Sequence, residues 1–148
     1  MKNKIPPPIV TLICGLGIYF SRFAFPNAQS DSSDFTALGL LLFGITVLVA
    51  AVLSFKKQGT TVNPLQPEKA SSLVVSGLFN YSRNPVYLGM LLILLSLTVK
   101  FNVLGGLLVT LAFVIFMTKF QIIPEELALE SKFGEQFIQY KERTRRWI

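Results

Sequence analysis

The chain has 148 residues, 51% of them apolar and 15% charged, with a formal net charge of +6, one cysteine and no histidine. That length is one small domain's worth. The lack of histidine excludes His-based metal sites, His general bases and Ser-His-Asp triads together, and the lone Cys14 excludes an internal disulfide and reads as a small packing residue.

The apolar residues fall in four blocks, about 8–25, 35–55, 86–99 and 103–118, with the polar residues swept between them. Blocks of that length exceed what a soluble core needs and mark an all-α integral membrane protein with about four transmembrane helices. The first follows a basic start, Lys2 and Lys4; Pro6, Pro7 and Pro8 and the lack of a small-x-small site argue for a retained helix rather than a cleaved leader. The stretch PNAQSDSSD (26–34) reads as an outer loop whose Asp34 can cap the second helix. The second block, free of charge, is long enough for ~30 Å of hydrocarbon. The third is shorter and needs Tyr87 and Lys100 near the interfaces to cross, or it dips without fully crossing. The third and fourth form a hairpin turning at Lys100-Phe101-Asn102.

Charge orients this arrangement. Twelve of the fourteen Lys and Arg lie in the N-terminus, the 56–85 connection and the tail; only Arg22 and Lys100 lie in the other two connections. An even number of crossings puts the three basic segments on one side, which the positive-inside rule makes cytoplasmic, in an inner or plasma membrane. The same rule and attraction to anionic headgroups account for the positive charge without nucleic acid. The 56–85 connection contains Leu73-Val74-Val75 and Leu78-Phe79, too apolar for disorder, and should pack on the bundle. In the tail, Pro124 suits a first helical turn, and Leu129, Phe133 and Phe137 make one apolar stripe, so a C-terminal amphipathic helix is expected, ending in a basic cluster and Trp147. The chain divides into an N-terminal helix pair, 1–58, and a core, 59–148.

Two clusters carry chemistry: Tyr81, Arg83, Asn84 and Tyr87 before the third helix, and Glu125, Glu126 and Glu130 opening the tail helix. A hairpin returns them to one face of the membrane. Asn84 is a favoured N-cap and Pro85 a favoured first helical residue, and the free amides there suit an anion. An N-cap, an interfacial arginine and belt tyrosines are also ordinary at a membrane boundary. Glu125 shares the face of Leu129, Phe133 and Phe137, where an unpaired carboxylate is costly, so it should have a partner; Glu126 and Glu130 fall on a neighbouring, more solvated face. A carboxylate, a basic helix mouth and aromatic rings suit a ligand with a diol, an amino-acid end and a cation. S-adenosylmethionine has all of these, and other cofactors share some.

The segments GTTVNP…LVVSGLFNYSRNPVYLGM (59–90) and PEELALESKFGEQFIQYKERTRRW (124–147) resemble the isoprenylcysteine carboxyl methyltransferase family and its bacterial relatives, which share features with membrane phospholipid methyltransferases. The resemblance implies a multi-helix membrane enzyme that binds S-adenosylmethionine, releases S-adenosylhomocysteine, and takes a lipophilic acceptor (a carboxylate, thiol or amine) from the lipid. It implies a cofactor pocket lined by Ser71, Ser72, Leu73, Val74 and Phe79. Asn84, Pro85, Val86 and Tyr87 match an Arg-His-Pro-x-Tyr segment that contacts the cofactor, Glu125 and Glu126 match a Glu-Glu pair in which Glu125 is the better match to the cofactor-binding acid, and Leu129, one turn on, is expected at the cofactor as well. Tyr81 and Arg83 are expected to orient the acceptor or the cofactor's amino-acid end, and no metal is expected. Asn84 stands in place of a histidine, and Gln121 in place of an arginine that the eukaryotic enzymes aim at the prenylcysteine carboxylate. Two other readings stay open: an NADPH-dependent membrane reductase of the sterol type, and a non-catalytic four-helix scaffold.

Overall fold

The computed structural model describes residues 5–25, 31–59 and 71–148, and among these every regular element is helical. Helix α1 is Pro7–Ser21, α2 Asp31–Lys57, α3 Pro85–Phe101 and α4 Val103–Met117; a five-residue π turn, Thr118–Ile122, leads into α5, Ile123–Phe133, and α6 is Glu135–Arg143. A 3-10 turn, Gly77–Asn80, precedes α3. Much of the 56–85 connection, residues 60–70, lies outside the described residues.

Helix boundaries follow local chemistry. Prolines open α1 and α3, where the missing N–H has no intrahelical partner to lose. The α3–α4 hairpin turns on Asn102 as expected: its Oδ1 accepts from the Gly105 amide at 2.7 Å and its Nδ2 donates to the Phe25 carbonyl at 3.2 Å, tying the end of α1 to the hairpin. Two caps differ from expectation. Helix α2 already begins at Asp31, so Asp34 lies inside its first turn and pairs instead with Lys100 at 2.8 Å. The Asn84 side chain makes no cap bond, because its amide is drawn to the far end of the chain.

The four long helices alternate in direction, and α3 is central, packed against α1, α2 and α4. Close approach depends on glycine: a Cβ on Gly89 would sit 2.9 Å from the Gly44 carbonyl oxygen, and one on Gly106 would sit 2.7 Å from the Thr98 side chain. Gly39, by contrast, faces open space. Val10 and Ile18 of α1, Tyr87, Met90 and Leu94 of α3, and Phe113 and Met117 of α4 share one core, which runs across the boundary drawn at residue 58. Polar side chains inside the bundle are paired: Ser96 donates to the Ala37 carbonyl at 2.8 Å, and Thr98 and Thr110 share a bond at 3.1 Å.

The outside of the bundle is apolar. Leu12, Ile13 and Phe20 on α1, Leu38, Leu42 and Phe43 on α2, and Leu104, Leu108 and Leu111 on α4 are all exposed. Exposed apolar faces of this extent mark a protein solvated by lipid. Two helices are long and apolar enough to cross a membrane, Ser33–Lys57 and the continuous run Val103–Phe133, whereas the apolar helices α1 and α3 are shorter, at 15 and 17 residues.

The tail is two helices where the apolar stripe reads as one. Gly134, with φ 52° and ψ −126°, breaks the run after Phe133, a backbone region that a side chain would strain. Helix α6 then buries Phe137 and Tyr140 against Val74, Phe79 and Ala51. Burial raises the pKa of the Tyr140 phenol, which stays protonated and donates to the Phe79 carbonyl at 2.7 Å. The connection before α3 is thereby packed on the bundle.

Candidate functional site

The site lies where the π turn delivers α5 beneath the start of α3. Pro124 has no N–H and its ring would crowd the carbonyl four residues back, so the helix widens just before it, the Ile123 amide reaching the Thr118 carbonyl five residues earlier. The widened turn carries Gln121, buried to 3% exposure, toward Tyr87, within hydrogen-bonding reach of its hydroxyl. One turn on, Glu125 meets the same hydroxyl: Tyr87 Oη donates to Glu125 Oε2 at 2.8 Å. The carboxylate thus has the partner that its place on the packed face demands.

Glu126 departs from expectation. It is buried, at 7% exposure, rather than partly solvated, because two arginines distant in sequence converge on it. Arg83 donates Nε and Nη2 to Oε1 at 3.2 and 3.0 Å, and Arg146 donates Nε to Oε1 at 3.1 Å and Nη2 to Oε2 at 2.7 Å. Two guanidinium forks outweigh the cost of desolvating the acid. Glu130, by contrast, is half-exposed and paired with Lys141 at 2.9 Å.

A cavity of about 260 Å³ opens above these acids, close to the low end of small-molecule sites. Of the residues expected from sequence, Phe79, Arg83, Asn84, Pro85, Val86, Tyr87 and Glu125 line it. Leu73, Val74 and Leu129 pack in the neighbouring apolar cluster behind Phe79. Ser71 and Ser72 donate to the Gly59 and Gln58 carbonyls at the end of α2. Glu126 sits outside the lining, in its arginine clamp. Tyr81 is 78% exposed and off the cavity, and all three guanidinium nitrogens of Arg83 donate within the protein, to Glu126 and to the Lys141 and Thr144 carbonyls. Sequence reasoning missed the rest of the lining: Pro7 and Pro8 of α1, Leu48, Val52 and Phe55 of α2, and Met90 of α3. Nothing local in the sequence distinguishes these from bundle packing. Among the described residues, no cluster of His, Cys, Asp or Glu suits a metal ion.

A half-buried carboxylate held by a tyrosine thus lines a largely apolar cavity at one end of an apolar helix bundle, in a chain with the exposed faces of a membrane protein. The chain belongs to the phospholipid methyltransferase family, whose model matches residues 33–136, and that family is one of membrane methyltransferases. The match begins further toward the N-terminus than the motif-bearing stretch at 59–147, taking in nearly all of α2, and stops short of the last twelve residues. An uncharacterized protein of Haemophilus influenzae is 41% identical over 63 residues, 43% of this chain and the whole of that relative. No solved structure matches the chain.

Proposed function

We propose that the protein is an S-adenosylmethionine-dependent methyltransferase, akin to the isoprenylcysteine carboxyl methyltransferases, acting at the membrane on a lipophilic small molecule or lipid-anchored acceptor with a carboxylate, thiol or amine. The observation that supports this best is Glu125. One carboxylate oxygen is held by Tyr87, the other accepts no bond from the described residues, and the group lines a cavity that is otherwise mostly apolar. The donor set suits the cofactor: a carboxylate for ribose hydroxyls or the ammonium, the Phe55 and Phe79 rings for a cation, and the opening turn of α3 for a carboxylate. When bound, the cofactor supplies an activated methyl group on a positively charged sulfur.

The residues of this chain have three tasks. Tyr87 fixes the orientation of Glu125, and Glu125 fixes the ligand, which raises effective concentration at the reacting centre. Leu48, Val52, Phe55 and Met90 give the acceptor's apolar body a surface and keep water away. Arg83 frames the site through Glu126. A carboxylate or thiolate acceptor needs no proton removed during transfer, and an amine must arrive neutral, so no general base is required. We read α1 to α4 as four crossings with both termini cytoplasmic, the site then lying on the cytoplasmic side.

Calorimetric titration of detergent-purified protein with S-adenosylmethionine and S-adenosylhomocysteine tests the reading. The parent should bind both, and folded Glu125→Gln and Tyr87→Ala should bind neither. A well-folded parent that binds neither, in detergent and in lipid nanodiscs, overturns it.

A further inference from the structure

After α6 the chain runs back beneath the site as a strap. The Arg83 amide donates to the Arg145 carbonyl at 2.9 Å, in a parallel bridge between Ser82 and Arg145. Asn84 Nδ2 donates to the Arg146 carbonyl at 2.9 Å. The Trp147 indole donates to the Thr118 hydroxyl at 3.1 Å, at the first residue of the π turn. Between these backbone and indole anchors, the Arg146 side chain grips both oxygens of Glu126. Consecutive residues are thus fastened to the segment opening α3, to the π turn and to the first turn of α5, the three pieces that set Tyr87 and Glu125 against each other. The anchoring of α6 needs none of this, since Phe137 and Tyr140 are already buried. The strap also lies beyond the stretch matched by the family model, which ends at residue 136.

We propose that Arg146 is a positioning residue for the methyl-transfer site, holding Glu125 toward the cavity by clamping its neighbour Glu126 against Arg83. The inference rests on the methyltransferase reading. Two adjacent carboxylates follow a widened helical turn, a weak point in the ladder. With Arg146 gone, Glu126 keeps only Arg83, all of whose contact is with Oε1, so Oε2 is left without a donor in a buried place. The first turn of α5 then rotates to solvate that oxygen, and Glu125, one residue away, turns with it. The fork matters as much as the charge, because lysine cannot grip two oxygens in fixed geometry.

The test is S-adenosylhomocysteine affinity by calorimetry for the parent, Arg146→Ala and Arg146→Lys, with thermal unfolding of each and the fluorescence of Trp147, the chain's one tryptophan. Arg146→Ala should bind about tenfold more weakly, Arg146→Lys should fall between it and the parent, and saturating ligand should partly restore the parent's Trp147 emission. A purely structural arginine would lower the unfolding temperature and leave the affinity of the folded fraction unchanged; that result overturns the proposal. If Arg146→Ala does not fold, Arg146→Lys carries the test, and parent-like affinity there overturns it. A parent that binds no S-adenosylhomocysteine overturns the methyltransferase reading itself, and this role with it.

Discussion

Asn84 and Arg146, 62 residues apart, are joined by a bond from the Asn84 amide to the Arg146 carbonyl at 2.9 Å. The residue that opens α3 therefore does not cap it; it holds the end of the chain. Asn84→Ala should leave helix content by circular dichroism unchanged, since no cap bond is lost, while costing about 1 kcal/mol in unfolding and loosening the strap. Asn84→Asp should be worse than alanine, because a carboxylate cannot donate to a carbonyl and would face it unpaired. Equal stability for the two variants would contradict this geometry.

Tyr87→Phe removes one hydroxyl and keeps the packing of a ring that is 4% exposed. It leaves Glu125 without its donor, so S-adenosylhomocysteine binding should fall at least tenfold and stability by about 1–3 kcal/mol. Calorimetry and thermal unfolding read the two effects separately.

The glycines separate contact from propensity. Gly89→Ala should destabilise by about 1–3 kcal/mol, since its Cβ would meet the Gly44 and Leu48 backbone, which cannot yield as a flexible side chain can. Gly39→Ala meets nothing within 4 Å and should be neutral or stabilise by up to about 1 kcal/mol. Unfolding in detergent should rank the two on opposite sides of the parent.

Asn102→Ala loses both the Gly105 cap and the tie to Phe25 at a position that is 1% exposed. A loss of about 2 kcal/mol is expected. Because this end of the bundle is opposite the cavity, S-adenosylhomocysteine affinity in the folded fraction should not change; a change would mean that the two ends of α3 are coupled.

Topology has a direct readout. In a Cys14→Ser background, a cysteine at Ile148 should react with an impermeant thiol reagent only when the cytoplasmic side is open, and one at Lys100 only from the other side. Labelling of both from the same side would contradict four crossings.

What the sequence made legible was local. Asn84-Pro85 marks the start of α3 and Asn102 the hairpin, because each sets its own backbone. The need for a partner at Glu125 was readable from its face of the helix, though Tyr87 as that partner was not. The rest depends on residues meeting across the fold. Glu126 seemed solvated because the arginines that bury it lie 43 and 20 residues away. The wall supplied by Pro8, Leu48 and Val52 has the composition of any bundle face. The break at Gly134 was hidden because Phe133 and Phe137 keep a helical spacing across it while both pack into the same cluster.

The π turn has one more consequence, and it concerns chain length. Thr118–Ile122 holds about one residue more than an α-helical turn would, so α5 is offset by roughly 100° from an uninterrupted continuation of α4. That offset decides which of two neighbouring glutamates meets the cavity and which meets the arginines. The seam between bundle and site therefore carries a reserve. A single deletion within it can be absorbed by winding the turn to α-helix, both glutamates keeping their bearings, at a cost of about 3 kcal/mol for setting the Pro124 ring against the carbonyl four residues back, whereas a single insertion has no such slack to draw on and would swing Glu125 away from Tyr87.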